Sequence, residues 1–166
     1  MTKIRPAIGS LIFLLVAPGL VAGVIPWLLT GWHLSHYLVL AQLAGAAIVV
    51  VGVAVLLASF ARFVFEGRGT PAPAAPTERL VLGGFYRYVR NPMYLAVGAT
   101  IIGQAIALGR PVLLAYFVMF AIAVTAFVYG YEEPTLRDRY GEQYDEYRRA
   151  VPGWLPRRTP WQPPQH

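Results

Sequence analysis

Two short stretches hold most of the chain's chemistry. The first is Gly83-Gly84-Phe85-Tyr86-Arg87-Tyr88-Val89-Arg90-Asn91-Pro92-Met93-Tyr94, and the second is Tyr131-Glu132-Glu133-Pro134. The first supplies guanidinium groups and phenol rings after a glycine turn; the second supplies paired carboxylates. A cation, several acceptors and aromatic faces are the groups with which a protein holds a small polar cofactor. Each stretch stands where a long apolar run meets a charged segment. The two are therefore expected to meet at one membrane face and form a cofactor pocket.

The elements that must position them are apolar. Of 166 residues, 57% are hydrophobic and 13% charged, and the mean hydropathy is +0.51. So few charged groups do not cover a water-soluble globule of this size, and the chain reads as an integral membrane protein with room for one bundle. The absence of cysteine excludes disulfides, thiolate metal sites and a cysteine nucleophile. Three histidines, one of them His166 at the end, argue against a metal centre. The net charge of +6 comes from basic residues that flank apolar runs without a nucleic-acid-binding motif. It reads as an orientation signal, not a nucleic-acid partner.

From Pro6 to Ala61 no Asp, Glu, Lys or Arg occurs, which leaves room for two crossings of ~20 residues each. They are placed at residues 8–29 and 37–60, with His33 and His36 in the turn between them and given no role. A cleaved signal peptide is the rival reading of the first run, but its length and the immediate second run favour a retained span. Pro18 and Pro26 predict bends, and Gly19 with Gly23 predicts close packing inside the bundle. Residues 66–79, rich in Pro, Gly and Ala, read as a connector. Two more apolar runs, 91–109 and 111–131, are joined by a Gly109-Arg110-Pro111 turn. With four crossings, thirteen of the fourteen Lys and Arg residues fall on one side and only Arg110 on the other. The positive-inside rule then puts both termini and the ionisable chemistry in the cytoplasm. Leu136, Tyr140, Tyr144, Tyr147 and Val151 form one helical stripe, which packs back on the bundle or lies at the lipid surface.

The expected fold class is an all-α integral membrane protein with about four transmembrane helices plus a cytoplasmic amphipathic C-terminal helix. Residues 1–65 hold two helices, 66–79 the connector, 80–156 the core that carries the chemistry, and 157–166 a loose Pro-rich tail.

Gly-Gly-Phe-Tyr-Arg-Tyr-Val-Arg-Asn-Pro-Met-Tyr, an apolar hairpin, Glu-Glu-Pro-x-Leu, Tyr-Gly-x-x-Tyr-x-x-Tyr and Val-Pro-x-x-Leu-Pro follow in that order over residues 83–156. This order resembles the isoprenylcysteine carboxyl methyltransferase and phospholipid methyltransferase superfamily. The resemblance implies methyl transfer from S-adenosylmethionine to a lipophilic acceptor that enters from the bilayer, at a cytoplasmic-face site without metal. Carried over by motif position, Gly84, Tyr86, Arg90, Asn91, Pro92 and Tyr94 would line the cofactor site, and Glu132 and Glu133 would complete it. Arg90 would pair with the cofactor carboxylate, while Tyr86, Tyr88, Tyr140 or Tyr144 would stack on adenine or face the sulfonium. Glu133, able to assist an amine acceptor, and Arg149, one position from the basic residue that often precedes Val-Pro in the isoprenylcysteine branch, are the candidate catalytic groups.

Singly, each piece has a plainer reading: Arg87 and Arg90 as interfacial anchors, Asn91-Pro92 as a helix entry, the carboxylates as a solvated helix end. The branch is split, since Asn91 stands where the isoprenylcysteine branch has His, whereas the Tyr-rich segment looks closer to that branch. Two other classes stay open, a membrane reductase using NADPH and a non-catalytic helical bundle.

Overall fold

The structure, a computed structural model, describes residues 16–35, 37–66 and 79–162. Expectations that fall on residues 1–15, His36, 67–78 and 163–166 lie outside the described residues, including most of the connector. No strand occurs among the described residues. Helix α1 is Val16–Thr30, α2 Val39–Phe65, α3 Pro92–Leu108, α4 Val112–Phe127, α5 Glu133–Tyr140 and α6 Glu142–Ala150. A 3-10 turn, Gly84–Arg87, precedes α3, and a π-helical turn, Val128–Glu132, joins α4 to α5.

Two helical runs, Val39–Phe63 and Val112–Tyr140, are long and apolar enough to cross a membrane, while α1 and α3 are shorter and apolar. Leu40, Leu43, Val50, Val118, Met119 and Ile122 are each more than half accessible. Helices that show apolar side chains on all faces suit lipid as solvent, not water. The core lies on α3, whose Val97, Ile101, Ala105 and Leu108 pack with Leu56 of α2 and Leu113 of α4.

Small residues let α2 and α3 approach closely. A Cβ on Gly103 would lie 2.9 Å from the Gly45 carbonyl oxygen, and one on Gly52 would lie 2.6 Å from Thr100 Oγ1. At Gly23 the expected close approach is not made, since a side chain there would meet nothing among the described residues; close helix contact is made by α2 on α3. Gly103→Val is expected to cost about 1–3 kcal/mol through overpacking, measured as a lower melting temperature in detergent. An unchanged melt would show that the seam has slack.

The bend expected at Pro26 takes the form of a π-helical turn, Leu20–Val24, in which Ile25 N–H bonds to Leu20 O. Pro26 itself has no N–H, so the carbonyls of Val21 and Ala22 lose their usual donors. Neighbouring helices replace them: Tyr116 OH donates to Val21 O at 2.8 Å and Gln104 Nε2 to Ala22 O at 2.7 Å. At that bundle's far end, Ser35 N–H donates to Leu108 O at 3.1 Å and Arg110 Nε to His33 O at 3.3 Å. The loop after α1 and the turn after α3 therefore share one end, and the two chemically rich stretches meet at the other.

Candidate active site

Pro92 occupies the first turn of α3 and holds Asn91 out of the helix, at φ −115°, since a residue before proline avoids the α region. Asn91 sits at the N-cap position but does not cap: its Nδ2 donates to Gly153 O at 3.1 Å. Arg90, one residue earlier, is turned toward the C-terminal segment. Its Nη1 pairs with Glu133 Oε1 and also donates to the Tyr144 hydroxyl at 3.2 Å, while its Nε donates to Val151 O at 3.0 Å. Glu133 receives a second cation, Arg148 Nε, at 3.1 Å. The Arg90 and Glu133 side chains are only 11% and 8% exposed, so this is a buried, charge-assisted network.

The π-helical turn presents the carboxylates. Glu133 N–H bonds to Val128 O, five residues back, and Pro134 follows at the next position. Glu132 takes no cation among the described residues; it accepts a hydrogen bond from Tyr94 OH at 2.8 Å. The C-terminal segment folds as two helices, not the single one expected, because Gly141 (φ 55°, ψ −128°) breaks it. The predicted stripe still converges, with Tyr144, Tyr147 and Val151 clustered beside Leu136 and Tyr140.

Beyond α6 the chain returns across the start of α3. Arg90 N–H donates to Pro152 O, Arg157 N–H to Tyr88 O and Trp161 N–H to Arg87 O, each at 2.9 Å. Arg87 Nε closes the loop on Trp161 O at 2.7 Å. The tail expected to be loose is therefore tied down as a strap as far as Trp161, because its backbone groups find partners in residues 87–91.

These elements enclose a cavity of about 600 Å³, within the range of ligand sites. One end is polar, with Arg90, Asn91, Tyr94, Glu132, Glu133 and Arg139 in its wall. The other runs between the helices, against Val21, Leu56, Val97, Phe120 and Val124. Tyr147 OH donates to Tyr86 O at 2.7 Å. Burial pushes the hydroxyls of Tyr86, Tyr144 and Tyr147 above the ordinary tyrosine range, so all three stay neutral at physiological pH. Glu132 and the exposed Arg139 are the wall's charges without an ion-pair partner among the described residues.

Of the residues singled out from the sequence, Tyr86, Arg90, Asn91, Pro92, Tyr94, Glu132, Glu133, Tyr140 and Tyr144 line this cavity. Gly84 and Arg149 do not. Gly84, at φ +59° where glycine is favoured, lies against Arg62, and Gly83 N–H is held by Glu66 Oε2 at 2.9 Å. Arg149 is exposed; one position earlier on α6, Arg148 faces Glu133 in its place. Sequence reasoning missed Arg139, Arg148 and Glu66, whose only signal was a charge beside a tyrosine stripe or at a helix end.

A family model described as phospholipid methyltransferase matches residues 27–143, more than half of the chain. No curated protein and no solved structure matches it.

Proposed function

We propose a reaction for this chain, which belongs to the phospholipid methyltransferase family: transfer of a methyl group from S-adenosylmethionine to a lipophilic acceptor held in the same cavity. The observation that carries the proposal is the two-ended cavity, charged beside α5 and α6 and apolar between α1, α2, α3 and α4.

The wall fits the cofactor. When bound, S-adenosylmethionine supplies an electrophilic methyl group on a sulfonium. Arg139, with no counter-ion among the described residues, is available to a carboxylate, and the rings of Tyr140 and Tyr144 offer faces to adenine or a cation. Arg90 takes a different part from the one expected of it. Its charge is met by Glu133, so it holds the wall together instead of pairing with ligand.

The chain's contribution to the chemistry is alignment and exclusion of water, since methyl displacement needs an in-line approach and little acid–base help. The acceptor suited to this wall carries an amine. Glu132 is a carboxylate without a cation among the described residues, hydrogen-bonded by Tyr94, and it can receive the proton an amine must lose. Glu133 is held by two guanidinium groups, and the buried tyrosines are poor bases. Arg149 has no place in this scheme.

We read α1, α2, α3 and the α4–α5 run as four crossings, with the site at the cytoplasmic face, because Arg110 alone of the fourteen basic residues lies at the other end in that topology. The ~25 Å rise of the 17-residue α3 suits a helix largely covered by its neighbours.

Titration of detergent-solubilised protein with S-adenosylhomocysteine is expected to raise the melting temperature by several degrees. The stabilisation is about 2.7 kcal/mol at a hundredfold excess over Kd. NADPH is expected to leave the melt unchanged. Stabilisation by NADPH alone would replace methyl transfer with reduction, and stabilisation by neither would leave a bundle without cofactor.

A further inference from the structure

A second cavity, also about 600 Å³, lies on the opposite side of the α2–α3 pair and opens outward. Ala47, Val51 and Val55 of α2 form one bank, Leu95 and Ala99 of α3 form the other, and Gly52 lies in its wall. Among the described residues, no charged side chain lines it. Along α2 the groove runs from Ala47 to Val55, ~12 Å of helix, close to half of the ~30 Å hydrocarbon thickness and so to one leaflet. Its end is closed by Phe85, Tyr88 and Pro156. Tyr88 and Pro156 belong to the junction where the strap is bonded to the turn before α3, through Arg157 N–H on Tyr88 O.

That junction is basic. Arg157 Nη1 donates to the Ala150 carbonyl at 2.9 Å and Arg158 is exposed. Neither forms an ion pair among the described residues. A groove of one-leaflet depth that ends at Pro156, next in the chain to Arg157 and two residues from the exposed Arg158, has the form of a lipid with an anionic head.

We propose that the α2–α3 groove holds an acyl chain of an anionic phospholipid from the leaflet on the strap's side, with its phosphate at Arg157 and Arg158. The site is separate from the methyl-transfer cavity, with Pro92 in the wall of both. The inference rests on the membrane reading above, not on methyl transfer.

The test is native mass spectrometry of full-length protein taken from nanodiscs of equal phosphatidylglycerol and phosphatidylcholine. The wild type is expected to retain one phosphatidylglycerol in preference to phosphatidylcholine. Each arginine contributes about fivefold near a charged membrane surface. Arg158→Gln should therefore lower the preference about fivefold, and Arg158→Gln with Arg157→Gln further. Ala99→Phe, which fills the groove, should abolish retention of either lipid, and the melting temperature checks that each variant is folded. Equal retention of the two lipids, no retained lipid, or a dimer that Ala99→Phe dissociates would overturn the proposal. S-adenosylhomocysteine binding is measured on the same samples. Its loss with lipid retained strikes the methyltransferase reading alone, and the converse strikes only the groove.

Discussion

Glu133→Ala is expected to lower the stability of the protein by about 3–5 kcal/mol, the range for removing one member of a buried ion pair. The carboxylate faces both Arg90 and Arg148, and its loss strands the Arg90 guanidinium in a site that is 11% exposed. The strap should loosen with it, because Arg90 also holds Val151 and Pro152. Thermal melting in detergent gives the first readout, and proteolysis after Arg157 or Arg158 the second. Arg90→Met combined with Glu133→Met removes both charges and should recover a large part of the loss, as apolar replacement of a whole buried pair does. A single-variant loss below about 1 kcal/mol, the value of an exposed pair, would mean that water reaches the network.

Glu132→Gln should do the reverse, leaving the melt near wild type and lowering methyl transfer by about 10²-fold or more, the contribution of a positioned base. Glutamine keeps the shape and can still accept from Tyr94 OH, which now meets Glu132 at 2.8 Å, but it cannot take a proton. The measurement is transfer of labelled methyl to lipid extract, with S-adenosylhomocysteine affinity as the control. Activity within about tenfold of wild type, below that range, would remove Glu132 from the chemistry.

Much of this arrangement was legible before any coordinates. Charge-free windows marked where apolar helices run, because one Lys or Asp in hydrocarbon is costly and its absence over a long window is informative. The meeting of Arg90 with Glu133 followed from counting crossings between them. Spacing alone brought Tyr140, Tyr144, Tyr147 and Val151 together.

Pairings made by backbone or by absent side chains were not legible. Gly45, Gly52 and Gly103 stand among so many small and apolar residues that nothing local distinguishes them from Gly23, which packs on nothing. The strap is fixed through main-chain N–H and carbonyl groups, which every residue has, so a Pro-rich sequence gave no sign of it. Arg148 and Arg149 differ by one helical step, and which of them meets Glu133 depends on a helix phase reset at Gly141.

The π-helical turn before Pro134 has a further consequence. A regular helix advances ~100° in azimuth per residue, and this turn accommodates one residue beyond the regular count. All that follows α4 is thereby rotated by that angle relative to an uninterrupted continuation. Winding the same residues as a regular helix would keep every side chain that lines the polar wall, yet swing Glu133 a quarter-turn and more away from Arg90. The site depends on a phase as much as on a composition.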